Sequence, residues 1–171
     1  MYKRQAPGRV EVCNFHGSVT ATLPFADSEG TPTMIHAGGD AKKKVAFVAA
    51  GTDKGFIKAW DVSRREPRQH AAGRKMGDPA YPSRLSAVSI SGDGTRIACT
   101  IEVQPPAAGT SSTGTTPKPK PGDKPIPFKP DGKLHVFLVD ADLAVAHDFG
   151  AHGRVPSHFF WEESDLSLIH I

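Results

Sequence analysis

The chain has 171 residues, a formal charge of +3, 17 glycines, 15 prolines and 38% hydrophobic residues. That length suits one ordinary domain, and so many turn formers predict short strands rather than long helices. No apolar run approaches the roughly 20 residues a helix needs to cross a bilayer, and no charged start followed by an apolar core marks a signal peptide, so a soluble, intracellular protein without direct membrane insertion is expected.

Both ends read as foreign. One choice of codons for Leu166 to Ile171 gives an oligonucleotide whose reverse complement encodes Asp-Val-Tyr-Lys-Arg-Gln. With the valine codon GTG read as a start, this becomes Met1-Tyr2-Lys3-Arg4-Gln5, so a single adapter of the transposase sequencing type accounts for both termini. Residues 1–5 and 166–171 are therefore set aside, and the native sequence is read as Ala6 to Asp165.

Val10 to Phe15 and Ser18 to Leu23 alternate apolar with polar residues around His16-Gly17, a hairpin pattern. They read as the last two strands of a sheet whose start is missing. Pro32 to Ala37 opens the next sheet, and Gly38 to Lys44 is an exposed turn. Val45 to Ala50 is a continuous apolar run, the pattern of a strand covered on both faces, and it ends in the glycine-bounded turn Gly51 to Gly55. Phe56 to Val62 follows and closes on Trp60-Asp61. Ser63-Arg64-Arg65-Glu66 then turns the chain into an outer strand, Pro67 to Ala72.

Leu85 to Ile90 and Arg96 to Val103 flank the turn Ser91 to Thr95. From Gln104 to Lys133 the composition changes to Pro, Thr, Ser, Gly and Lys, which predicts a disordered insertion. It carries five lysines against Asp123 and Asp131, a net +3 equal to that of the whole chain, so the rest is neutral. Strands resume at Leu134 to Asp140, Leu143 to Phe149 and Val155 to Trp161. Residues 6–103 and 134–165 thus carry the strand pattern.

Three strand ends align: Cys13-Asn14-Phe15, Trp60-Asp61-Val62 and Val139-Asp140-Ala141. From Cys13 to Trp60 is 47 positions and from Trp60 to Val139 is 79. The second interval falls to about 50 without the insertion, near the ~40 to 45 of WD-type repeats. The order apolar strand, Gly-Asp turn, Trp-Asp strand, polar outer strand resembles a WD-repeat blade. The fold expected is all-β: a partial WD-repeat β-propeller of about three four-stranded antiparallel blades with one disordered insertion. Only one blade ends in Trp-Asp, and no Gly-His opens any of them, so kelch-like or unrelated sheet folds fit the period as well.

Residues that carry chemistry are isolated. Asp148-Phe149-Gly150 matches a kinase metal triplet, but a catalytic loop and a glycine-rich loop are both missing. Gly109 to Thr116 has phosphate-loop glycine spacing without the lysine. His147 and His152 have no Cys or His partners at zinc spacing, and Cys13 and Cys99 stand too far apart for a metal or redox pair, so buried free thiols and no cofactor or metal are expected. Arg64, Arg65, Arg68, Arg74 and Lys75 form a basic run, but Glu66 interrupts it and no aromatics interleave, which speaks for a solvated strand and against nucleic acid. Thr116-Pro117 fits a proline-directed phosphoacceptor of low specificity.

Asn14-Phe15-His16-Gly17, Thr22-Leu23-Pro24-Phe25, Gly51-Thr52-Asp53, Asp61 through Glu66 and His158-Phe159-Phe160-Trp161 together resemble the intraflagellar transport protein 140 family, WD-repeat subunits of intraflagellar transport complex A. That resemblance spans roughly residues 10 to 162. It implies a non-enzymatic scaffold at the ciliary base, in cytoplasm and cilium, supporting retrograde transport and entry of membrane-protein cargo. Other complex A subunits would be its direct partners, and cargo an indirect one. The long insertion departs from the family pattern. A WD-repeat scaffold of another cytoplasmic assembly, or a propeller-borne enzyme, are the alternatives. Trp60 and Asp61 are read as structural anchors, and Ser63, Arg64, Arg65 and Glu66 as a protein-contact turn.

Overall fold

The computed structural model describes residues 2–6, 8–76, 83–103, 132–140, 145–152, 158–162 and 165–169. Strands β1 (Tyr2–Ala6), β2 (Arg9–Cys13) and β3 (Val19–Pro24) form a first sheet, and β4 (Pro32–Asp40), β5 (Val45–Thr52), β6 (Phe56–Asp61) and β7 (Arg68–Lys75) a second. The third sheet holds β8 (Ser83–Ile90), β9 (Arg96–Val103), β10 (Leu134–Asp140) and β11 (Val145–His152), and the fourth β12 (His158–Glu162) and β13 (Asp165–Ile169). Within every sheet each strand pairs antiparallel with the next in sequence. Successive four-stranded meanders are the topology of propeller blades, so the chain is an all-β partial propeller.

The aligned strand ends fall in equivalent places to within one residue: β2 closes on the first aligned residue, Cys13, whereas β6 and β10 close on the second, Asp61 and Asp140, and each is followed by the outer strand of its sheet. The first sheet has one strand more than the sequence pattern supplies, because Tyr2–Ala6 runs along the open edge of β2 with Tyr2 opposite Cys13 and Ala6 opposite Arg9. Asp165–Ile169 pairs in the same way with β12. Strand β4 runs past Ala37, since Gly38, Gly39 and Asp40 pair with Phe47, Ala46 and Val45. The turn expected at Ala141-Asp142, and the insertion apart from Gly132 and Lys133, lie outside the described residues.

The sheets stack face to face through two apolar clusters, and β5 feeds both. Phe47 and Ala49 join Ile57, Ala59 and Met76 against Leu85, Val88, Ile90, Ile97, Cys99, Ile101, Phe137 and Val139 of the third sheet. Val48 and Ala50, on the other face, join Trp60 against Val10, Val12, Leu23 and Phe25 of the first. Alternation along a strand sends neighbouring residues to opposite faces, so a sheet flanked on both sides needs apolar residues at every position. A register shift between Leu85 and Ala87 re-phases β8, which is why Leu85 and Val88, three apart, reach the same cluster.

Polar contacts tie one sheet to the next. The Ile90 amide donates to His36 Nδ1 at 3.2 Å, joining the inner strands of the second and third sheets. These strands run close: a Cβ on Gly38 would lie 2.6 Å from the Ser91 carbonyl oxygen. At the outer strand, His70 Nε2 donates to the Gly94 carbonyl at 2.7 Å, and its ring lies 5.1 Å from that of Phe47. Gly94 has φ of 75°, and a Cβ there would enter the Phe47 ring, so both the turn and the packing require glycine. The fourth sheet reaches the third through the Trp161 indole N–H, 2.8 Å from Ser89 Oγ.

Candidate functional site

Turns β4–β5 and β6–β7 emerge at the same end of the second sheet, as the first and third turns of a meander must. The β6–β7 turn is built from Asp61, whose Oδ1 accepts the Ser63 amide at 2.9 Å. Ser63 Oγ in turn accepts the Ala46 amide at 2.8 Å, and the Val62 amide donates to the Ala46 carbonyl at 2.8 Å. Hydrogen bonds from the Ser63 hydroxyl and amide hold the Asp61 carboxyl below its ordinary range, helped by the charges of Arg64 and His70 and outweighing a small opposing effect of burial. Asp61 thus fixes the turn from inside, while Ser63, Arg64, Arg65 and Glu66 all stand exposed.

Trp60 points the other way. It is 3% exposed and meets Phe25 of the first sheet. The structure therefore does not bring Trp60 and the turn Ser63 to Glu66 into one surface. The basic run also divides: Arg68 sits opposite Asp61 at the turn end, whereas Arg74 and Lys75 pair with Ile57 and Phe56 at the far end of the blade.

The β4–β5 turn has the same construction. Asp40 Oδ1 accepts the amides of Lys42 at 2.8 Å and Lys43 at 3.2 Å, and Oδ2 lies 3.7 Å from Lys43 Nζ. These contacts, the Lys43 amide foremost, hold the Asp40 carboxyl low. Lys42, Lys43 and Lys44 are exposed. In the third sheet the β8–β9 turn uses Asp93, which accepts the Ser91 hydroxyl at 2.7 Å, the Thr95 amide at 3.0 Å and the Thr95 hydroxyl at 2.8 Å. Burial pushes its carboxyl up, and these bonds more than offset it.

Between the β4–β5 and β8–β9 turns lies an open cleft, lined by His36, Ala37, Lys42, Lys43, Ile90 and Trp161 among others. Sequence reading found the lysine turn but not the cleft, because its walls come from three sheets. At the β2–β3 turn of the first sheet, the counterpart of β6–β7, Phe15 is 92% exposed. The Asn14 side chain holds it there, accepting the amides of His16 at 2.9 Å and Ser18 at 3.0 Å.

Other residues singled out in the sequence lie apart. Asp148 Oδ1 accepts the Gly150 amide at 2.7 Å inside β11, a local turn in the strand. His147 lies opposite Leu138 and His152 opposite Leu134, at opposite ends of that strand. Among the described residues no three His, Cys, Asp or Glu side chains come together as metal ligands, and no helix is long and apolar enough to cross a membrane. Cys13 and Cys99 are buried and unbonded, and burial pushes the Cys99 thiol up to about 12. The segment Gly109 to Thr116 and Thr116-Pro117 lie outside the described residues.

Comparison with known proteins places this geometry. The family model described as the IFT140 second β-propeller matches residues 4–109. Among solved structures, Kuenenia stuttgartiensis hydrazine synthase is similar at 16% identity and a TM-score of 0.37, over 89% of this chain and 45% of that one. The chain thus spans less than half the length of that structure.

Proposed function

Because this chain belongs to the IFT140 second β-propeller family, we propose that it is a non-enzymatic scaffold segment of an intraflagellar transport complex A subunit. The family match over residues 4–109 carries the reading. The cilium is the corresponding location, with the ciliary base and cytoplasm as its places of assembly. Support for retrograde transport and for entry of membrane-protein cargo follows as its role, with the other complex A subunits as direct partners.

The layout of the blades supports a scaffold. Both faces of the second sheet are consumed by its neighbours, and its exposed turns Lys42 to Lys44 and Ser63 to Glu66 stand at the rim. The turn Ser63 to Glu66 is the proposed contact. Asp61 and Trp60 are the proposed anchors beneath it, one fixing the turn and the other the sheet.

The test is affinity purification of the tagged full-length protein from ciliated cells, with and without Arg64→Glu and Arg65→Glu. Other complex A subunits should co-purify with the parent, and the double variant should recover less of them. Recovery of a different cytoplasmic assembly, with no complex A subunit, would overturn the reading. Equal recovery with the double variant would remove the turn from the contact.

A further inference from the structure

We propose that the outer edge of the first sheet, strand β3 with the turn that carries Phe15, is a docking edge for an extended, uncharged segment of a partner protein. From Val12 to Ala26 the chain holds no Asp, Glu, Lys or Arg. The corresponding stretch of the second sheet, Asp61 to Lys75, holds seven. Loss of charge around an exposed aromatic ring is the compositional mark of the core of a protein interface, whereas a solvated rim keeps its charges.

The turn presents its ring in a fixed position. The Asn14 amide donates to the Ser18 carbonyl at 3.0 Å and the Gly17 amide to the Asn14 carbonyl at 3.1 Å, in addition to the two amides that the Asn14 side chain accepts. Phe15 therefore stands in water on a loop that is already ordered, and Val19, also exposed, stands where the turn enters β3. A ring held in place before contact loses little freedom on contact, which is what makes a rigid aromatic an anchor.

The edge beside the ring is open. β3 is the last strand of its sheet, so alternate backbone groups between Val19 and Leu23 point away from β2 with no strand opposite them among the described residues. The other outer strands are guarded: β7 carries Arg68, Arg74 and Lys75, and β11 breaks register twice against β10. Charges and bulges of that kind keep edges from pairing. β3 has one register shift, at its start, and pairs regularly with β2 from Ala21 to Pro24. Unpaired peptide groups along an uncharged edge are met by another strand, and that sets the occupant as an extended segment. A nucleic acid or an anionic bilayer finds no cation on this hairpin, since no Lys or Arg lies between Arg9 and Lys42. The edge adds a contact on a different blade from the turn Ser63 to Glu66, and it does not depend on which assembly the chain joins.

The test is hydrogen exchange on the tagged full-length protein, purified from ciliated cells with its bound proteins and again after they are stripped away. The outward amides of Val19 to Leu23 should exchange at least tenfold more slowly in the assembly than in the stripped protein. Phe15→Asp with Thr22→Lys should abolish that difference, and Phe15→Tyr with Thr22→Val should keep it. Near-ultraviolet circular dichroism confirms that each variant is folded. Equal exchange in the two states, a difference that survives the charged pair of substitutions, or a protein that purifies with nothing bound would overturn the proposal. Slow exchange of these amides in a dimer of the stripped protein would assign the edge to a second copy and overturn it as well.

Discussion

Trp60 meets Phe25 edge-on, with ring centroids 5.5 Å apart and planes at 75°, across the seam between the first and second sheets. Lys58, on the same face of β6, places its ammonium 5.0 Å from the Phe25 centroid and 2.6 Å from Glu29 Oε2. One aromatic ring therefore receives an indole edge and a cation at once, and the seam has an apolar half and a charged half.

Trp60→Ala should lower stability by about 3 to 5 kcal/mol, the usual cost of truncating a packed tryptophan. Thermal melting of the full-length protein checks it. An unchanged melting curve would show that the seam does not depend on the indole.

The charged half should respond to acid. Burial pushes the Glu29 carboxyl up, but hydrogen bonds from Lys58 and from the Ala26 amide, with the Lys58 charge, outweigh it and leave it below its ordinary value of 4.5. A carboxyl lowered by folding contributes stability above its unfolded value, and that contribution fades as pH falls through the folded one. Glu29→Gln should therefore lose about 1 to 3 kcal/mol at neutral pH. The gap to the parent should close as pH drops below about 4.5, read from urea midpoints across pH. A gap that stays constant with pH would mean that the Glu29 charge is not what stabilises the seam.

Much of this architecture was legible in the chain. The unbroken run Val45 to Ala50 announced a strand covered twice, and the structure splits its residues between two clusters. What the run does not show is which residue takes which side, because a continuous apolar stretch has no period to read. The outer strand begins at Arg68 and extends to Lys75, past the expected end at Ala72, since Arg74 and Lys75 find partners on β6. Glu29 and Lys58 looked like ordinary surface charges, for their meeting depends on a loop and a strand brought together from 29 positions apart. The cleft was hidden for the same reason: Trp161 lies more than a hundred positions from Lys42.

Removing residues 104–131 and joining the ends with a short Asn-Gly turn should leave the melting temperature unchanged or raised. Strands β9 and β10 already pair with Glu102 opposite Leu134, so the two ends to be joined are neighbours. Shortening a flexible loop lowers its closure entropy by about 0.6 kcal/mol per halving. A fall of many degrees would show that the insertion packs on the blades.

Cys99 should resist alkylation. Its thiol is fully buried and pushed up to about 12, which leaves almost no thiolate at neutral pH. Mass spectrometry after iodoacetamide treatment should find Cys99 unmodified in native protein and modified in denaturant. Rapid native labelling would place Cys99 at an opening in the third sheet.

The double allegiance of β5 makes the strand intolerant of changes in length. Phe47 and Ala49 serve one neighbour, Val48 and Ala50 the other. One residue inserted before Phe47 would exchange the two sets, driving a phenyl ring into the space shaped for Val48, pushing Val48 into the place of Ala49 and leaving the inserted residue where the ring had packed against Gly94. In a strand with a wet face such a slip spoils one surface; here it spoils two at once, and both neighbouring blades lose their fit together. Divergence along this segment should therefore proceed by replacement, with gains and losses of residues confined to the turns on either side.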